Sequence, residues 1–276
     1  MTAVLLAVAS AALFGAMTVA IRVGLRTGES HAAALATILS ALVVALAAAA
    51  VRPAFHGLWP FLLAGLIAPG ASQILFTRAV QEVGASRTSV IAGAAPLVAV
   101  AIALVFLGEP LSVPLVLGAL AIVGGGVLLA VERDRPEHFR RVGLAYAGMA
   151  AVLFATRDNL VRSLHGHATP EAAAAATLLA GALVAGVWTR RAPTARELGR
   201  FAPAGLFFGL SYLCLFAAYY HGRVTVVSPL VATESLWGVL FSALVIGRSE
   251  HVGRRIVAGA ALIVAGGVLI GAAATA

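Results

Sequence analysis

Residues 118–129 read GALAIVGGGVLL, and residues 259–270 read GAALIVAGGVLI. The two stretches align at a shift of 141 residues. A second pair sits nearer the start of each half: LFGAMTVAIRVGL (13–25) aligns with LFATRDNLVRSLH (153–165) at a shift of 140. Leu13, Phe14 and Arg22 meet Leu153, Phe154 and Arg162. Helices rich in Ala, Gly, Leu and Val align by chance, but a matched arginine and a shared glycine pattern are harder to obtain that way. The chain therefore reads as one unit written twice.

Working outward, the segments between these landmarks are apolar almost end to end. Of the 276 residues 61% are hydrophobic and 11% charged, where a soluble domain carries roughly 25% charged residues. Mean hydropathy is +1.01. A helix that crosses a bilayer needs about 20 apolar residues, and such runs fall at about 3–24, 31–51, 58–80, 86–107, 113–131, 142–164, 171–189, 201–221, 224–246 and 254–274. Backbone polar groups cannot stay unpaired in hydrocarbon, so each run is expected to be a helix. The expected fold is an all-α polytopic membrane protein, ten transmembrane helices arranged as two five-helix repeats. Five is odd, so the halves enter the membrane in opposite directions and form an inverted repeat. The halves are 1–131 and 142–276, joined by the basic connection 132–141. The first run, MTAVLLAVASAALFGAMTVAI, lacks a basic leader and is kept as a span.

Net charge is +8, and all 19 cations are arginine. They lie in short connections, which is the pattern of topology signals rather than of a nucleic-acid surface. One set of connections carries Arg26, Arg87, Arg133, Arg135, Arg140, Arg141, Arg190, Arg191, Arg196, Arg200, Arg248, Arg254 and Arg255; the other carries Arg52 and Arg223. The positive-inside rule puts the first set in the cytoplasm of a plasma (inner) membrane and both termini outside. The single cysteine, Cys214, excludes an intramolecular disulfide and a multi-cysteine metal site. No phosphate-binding loop, nucleophile–base set or metal cluster appears, so no cofactor and no enzymatic activity is expected.

Ionisable groups inside a span are costly and mark pathways or pairs. Glu234 falls near the middle of the ninth segment, with Trp237 and Phe241 on the same helical face. Its carboxyl can hold a cationic or amino group, or exchange protons. In the sixth segment Arg157, Asp158 and Asn159 interrupt an apolar run. Asp158 and Arg162 are four apart and are expected to pair along the helix. Arg157 is then left to hold an anionic group such as a carboxylate, with Asn159 beside it on a central cavity. The competing reading is a structural salt-bridge cluster that pins the segment. The equivalent residues of the first segment, Met17, Thr18 and Val19, carry no charge, so repeat packing alone does not demand one. Gln73 is interior to the third segment, where Pro69-Gly70 suggests a kink, and Arg78 and Glu82 are expected to pair at its end. Phe208, Tyr212, Phe216 and Tyr219 form an aromatic stripe in the eighth segment that is either core or cavity wall. Gly118 with Gly125, and Gly259 with Gly266, give the fifth and tenth helices a close-packing face for scaffold or homodimer.

The stretch VGASRTSVIAGAAPLVAVAIALVFLGEPLSVPLVLGALAIVGGGVLL (83–129) and its partial copy VSPLVATESLWGVLFSALVIGRSEHVGRRIVAGAALIVAGGVLI (227–270) resemble the EamA-type branch of the drug/metabolite transporter superfamily. The carrying residues are Gly84, Ala85, Ser86, Pro96, Leu107, Gly108 and Glu109, then Glu234, Gly247 and Glu250. Ser235 stands where the family often has proline after the glutamate, and family members commonly have cytoplasmic termini, against the arginine count here. The resemblance implies a secondary transporter of small metabolites, most often an exporter of amino acids or related compounds, working by alternating access. A multidrug or nucleotide-sugar carrier is the alternative within transport; a non-transporting membrane scaffold is the alternative outside it.

Overall fold

The computed structural model describes residues 2–26, 32–52, 56–107, 113–130, 140–247 and 253–275. The elements are α1 (Thr2–Leu25), α2 (Ala33–Val51), α3 (Trp59–Gly65), a π-helical segment (Leu66–Ala71), α4 (Ser72–Val83), α5 (Ala85–Ala92), α6 (Ala95–Leu107) and α7 (Val113–Ala130). The second half contributes α8 (Val142–Ser163), α9 (Pro170–Thr189), α10 (Ala195–His221), α11 (Val224–Val231), α12 (Glu234–Val245) and α13 (Arg254–Thr275). The third span is α3, the π segment and α4; the fourth is α5 with α6; the ninth is α11 with α12. Gly108, Glu109 and Glu250, and the arginines at 133, 135 and 248, lie outside the described residues.

Among the described residues five stretches are each long and apolar enough to cross a bilayer: Thr2–Leu25, Ala33–Val51, Trp59–Val83, Pro170–Thr189 and Ala195–His221. α8 has the length but carries the Arg157–Asn159 step. The fourth and ninth spans are each divided in two.

The helix contacts come in repeat-related pairs. α1 packs on α10, and its equivalent α8 packs on α4. α2 packs on α10, and α9 packs on α3 and the π segment. α1 meets α12 as α8 meets α6, while α2 with α9 and α7 with α13 pair across the axis itself. Glycine contacts give the directions. A Cβ on Gly125 would lie 2.6 Å from the Gly259 carbonyl oxygen, and one on Gly266 2.5 Å from that of Gly118, so α7 and α13 run antiparallel. Gly205 faces Ser40 and Gly209 faces Val44, so α2 and α10 run parallel. That alternation is what ten consecutive spans in two oppositely inserted halves require. The glycine faces of the fifth and tenth spans are thus spent on each other inside one chain, and a dimer through these helices would use their outer faces.

Three expectations from the sequence are corrected. Segments 86–107 and 224–246 are not continuous helices. Each breaks, at Gly93–Ala94 and at Ala232–Thr233, with one hydrogen-bond pattern. Ala94 N donates to Ile91 O (3.0 Å) and Leu97 N to Ala94 O (3.0 Å); Thr233 N donates to Leu230 O (3.1 Å) and Leu236 N to Thr233 O (3.0 Å). Pro96, in the first turn of α6, has no N–H for the carbonyl of residue 92, which favours a stop there. In the ninth span the hydroxyls of Thr233 and Ser235 donate to the carbonyls of Leu230 (2.7 Å) and Ala232 (2.9 Å), which also accept those residues' backbone N–H groups. The eighth span starts earlier than expected, at Ala195, because Thr194 and Glu197 close a capping box: Glu197 N donates to Thr194 Oγ1 (3.2 Å) and Thr194 N to Glu197 Oε2 (2.8 Å). The kink expected at Pro69 is present, with Ala68 in extended backbone (φ −142°, ψ 119°) inside the π segment.

Candidate functional site

The two breaks lie against each other. A Cβ on Gly93 would meet Ser235 Cβ at 2.7 Å, and Gly238 faces the Ser89 side chain, so the fourth and ninth spans cross where both are interrupted. Glu234 opens α12 at this crossing and is buried. Interrupted helices expose backbone ends that continuous ones do not, and irregular backbone at membrane depth is tolerated where it lines a cavity or is buried in protein.

Across from Glu234 stands the charged step of α8. Arg157 and Asp158 are both buried. Arg157 Nε lies 2.7 Å from Asp158 Oδ1, and the Tyr219 hydroxyl donates to Asp158 Oδ2 at 2.9 Å. The Arg157 guanidinium sits over the Tyr212 ring at 4.7 Å and the Phe154 ring at 5.7 Å, the approach that a ring quadrupole favours. Tyr212 and Tyr219 thus clamp the pair from two turns of α10. Beyond their contact with each other, Arg157 Nη1 and the Tyr212 hydroxyl are buried with no well-aligned hydrogen-bond partner among the described residues. Buried polar groups in that condition call for a reason.

Arg157, Asp158, Tyr212 and Glu234 share a cavity of about 30 Å³, closed by Phe14, Phe154, Ala95 and Val231, with Ser10 and Ser211 at its wall. Phe14 and Phe154 are repeat equivalents and meet edge to face at 5.7 Å, on the axis between the halves. Ser10 and Ser211 each donate to the other's carbonyl, at 3.0 and 2.9 Å. A space of this size holds a water or two.

The expected site residues divide. Glu234, Arg157 and Tyr212 come together on the cavity, and Tyr219 supports it through Asp158. Asp158 does not pair with Arg162: its partner is Arg157, while Arg162 Nη1 donates to the Tyr219 carbonyl at 2.9 Å. Asn159 is turned away from the cavity, with its amide on the carbonyls of Ala155 (2.9 Å) and Ala99 (3.4 Å). Trp237 and Phe241 stack on each other at 5.6 Å, and Trp237 lies against Gly15 of α1 rather than on the cavity. Gln73 is buried, its Nε2 3.9 Å from Met17 Sδ, outside the cavity wall. Glu82 pairs with Arg140 (3.4 Å), not with Arg78. Sequence reasoning missed Ser10 and Ser211, whose one signal is a small polar residue in each of two apolar helices.

Two inverted five-helix halves, with interrupted helices crossing at a buried charged cavity, define a polytopic carrier architecture. The chain belongs to the EamA-like transporter family, which matches residues 1–131 and again 141–272, and so to the drug/metabolite transporter superfamily. It is a multi-pass membrane protein of a family of small-molecule transporters. Nineteen chains of solved structure match. One of them, described only as "Crystal structure of protein", aligns with a TM-score of 0.72 at 19% identity, over 97% of this chain and 95% of its own. At that identity the likeness speaks for the fold. No curated protein matches.

Proposed function

We propose that the chain is a secondary transporter of small zwitterionic metabolites, amino acids or close relatives, working by alternating access across a plasma membrane. The observation that carries this reading is the meeting of Arg157, whose Nη1 has no well-aligned partner among the described residues, and Glu234 on one cavity at the crossing of two interrupted helices. Arg157 takes the substrate carboxylate, a charge-assisted contact that its planar fork suits. Glu234 takes the ammonium group, or carries a proton in exchange for it. Tyr212 and the phenylalanines around the cavity receive the side chain.

The cavity's volume fits a water or two, so substrate is admitted only when the halves separate around Phe14 and Phe154. Rocking of one repeat against the other supplies that opening on alternate sides. The arginine count supports a topology with the α2–α3 connection outside with both termini, and the Arg140 and Arg190 ends in the cytoplasm. Export follows the family's habit.

The test is uptake of labelled amino acids into proteoliposomes by wild type, Glu234→Gln and Arg157→Ala, with and without a pH gradient. Saturable uptake that both folded variants lose supports the reading, and gradient dependence lost in Glu234→Gln assigns proton exchange to that carboxyl. Transport retained in both variants would remove the site assignment; no uptake of any amino acid by wild type would remove the substrate class.

A further inference from the structure

Away from the cavity, a groove of about 830 Å³ runs between the third, sixth and seventh spans. Its walls are apolar: Ile74 and Leu75 from α4, Val184 and Val187 from α9. Its rim is not. Arg78 of α4, Tyr146 of α8, and Trp188 and Arg190 at the end of α9 gather there. Neither Arg78 nor Arg190 forms an ion pair with a described residue; the nearest acid along α4, Glu82, is engaged by Arg140. Arg190 is held in left-handed backbone (φ 57°) as its N–H caps α9 on the Gly186 carbonyl at 2.9 Å. The rim lies at the arginine-rich ends of the spans, beside Arg140 and Arg141.

We propose that this groove is a binding site for one anionic phospholipid, its phosphate held between Arg78 and Arg190 and an acyl chain lying on Ile74, Leu75, Val184 and Val187. The size is that of a ligand pocket, and the walls face hydrocarbon, so the chain needs no polar partner. Two arginine forks that no carboxylate among the described residues engages suit a phosphate, and basic pockets between spans recognise anionic headgroups. Trp188, 58% exposed, stands at the end of α9 beside Arg190, the position along a span at which indole is favoured at a headgroup boundary. Charge complementarity thus selects the occupant: a zwitterionic lipid fills the walls equally well but leaves the arginine pair unneutralised.

Trp188 supplies the readout. Full-length protein is reconstituted in phosphatidylcholine vesicles holding either phosphatidylglycerol or phosphatidylcholine with dibrominated chains, and the Trp188 signal is taken as wild type minus Trp188→Phe. Brominated phosphatidylglycerol should quench Trp188 with a relative binding constant on the order of ten over phosphatidylcholine, since each arginine near an anionic surface contributes several-fold. Arg78→Ala with Arg190→Ala should bring that ratio to about one, while Arg196→Ala with Arg200→Ala, on the same face but off the groove, should leave it in place. Arg190→Ala alone, at an exposed helix end, should lose part of the preference and serves where the double variant does not reconstitute. Equal quenching by both headgroups in wild type, or equal loss in the off-groove pair, would overturn the site. Protection of Trp188 from both brominated lipids would overturn it too, by showing that a second copy of the chain covers the groove.

Discussion

Arg157 and Asp158 are neighbours on one helix, yet they form a buried ion pair, Nε to Oδ1 at 2.7 Å. Adjacent helical residues do not ordinarily face each other. The arrangement holds because α10 supplies both restraints: the Tyr219 hydroxyl fixes the carboxylate and the Tyr212 ring underlies the guanidinium.

Removing one member of a buried pair strands the other charge at a cost of about 3–5 kcal/mol. Asp158→Ala should therefore destabilise the protein strongly, and Tyr219→Phe by about 1–3 kcal/mol through the lost hydrogen bond. The two should be non-additive, since both act on one carboxylate. Reversible unfolding of the four members of the cycle in mixed micelles measures this; additive losses would mean that Tyr219 does not orient Asp158.

The glycine seam gives an internally controlled prediction. Gly125→Ala and Gly266→Ala place a methyl group 2.6 and 2.5 Å from backbone carbonyl oxygens of the facing helix. Backbone cannot step aside as a side chain can, so each should cost about 1–3 kcal/mol. Gly148→Ala, with nothing within 4 Å of its added methyl, should be neutral or stabilising by up to about 1 kcal/mol. Thermal inactivation of the three variants in one detergent ranks them.

The arginines at the span ends predict a sidedness, although Arg87, counted with them, is buried within α5. In a Cys214→Ser background, Ala192→Cys, exposed between the seventh and eighth spans, should be shielded from a membrane-impermeant maleimide in intact cells and labelled after permeabilisation. Labelling in intact cells would reverse the topology and put the termini in the cytoplasm.

The repeat, the number of spans and the helical class were legible because they rest on composition and periodicity, which tertiary contacts do not alter. The breaks were half legible. Pro96 marks one, but Ala232–Thr233 carries no strong punctuation, since hydroxyls such as Thr233 and Ser235 also bond carbonyls inside intact helices, as Thr177 does in α9. The i,i+4 rule misassigned Asp158 to Arg162 because the deciding partner, Tyr219, lies 61 residues on. Glu234, Trp237 and Phe241 do share one unbroken helix, α12, but an i,i+3 step still turns about 60° around the axis, so one face need not meet one cavity. With Glu234 in the first turn of α12, its carboxyl reaches the cavity while Trp237 fills the space that Gly15 leaves. Thr194 and Glu197 spell a capping box in plain sequence, and the surrounding arginines disguised it as a loop.

The most direct test of the account asks whether Arg157 reads a carboxylate. Once a transported amino acid is found, its amide, which lacks the carboxylate, and its N-acetyl form, which lacks the ammonium, are competed against it in wild type and Arg157→Ala. In wild type the amide should compete roughly tenfold to a hundredfold less well than the parent, the worth of a charge-assisted hydrogen bond. In Arg157→Ala parent and amide should compete alike, while discrimination against the N-acetyl form persists. If Arg157→Ala still rejects the amide as wild type does, Arg157 is a structural charge held by Asp158, and the carboxylate is bound elsewhere.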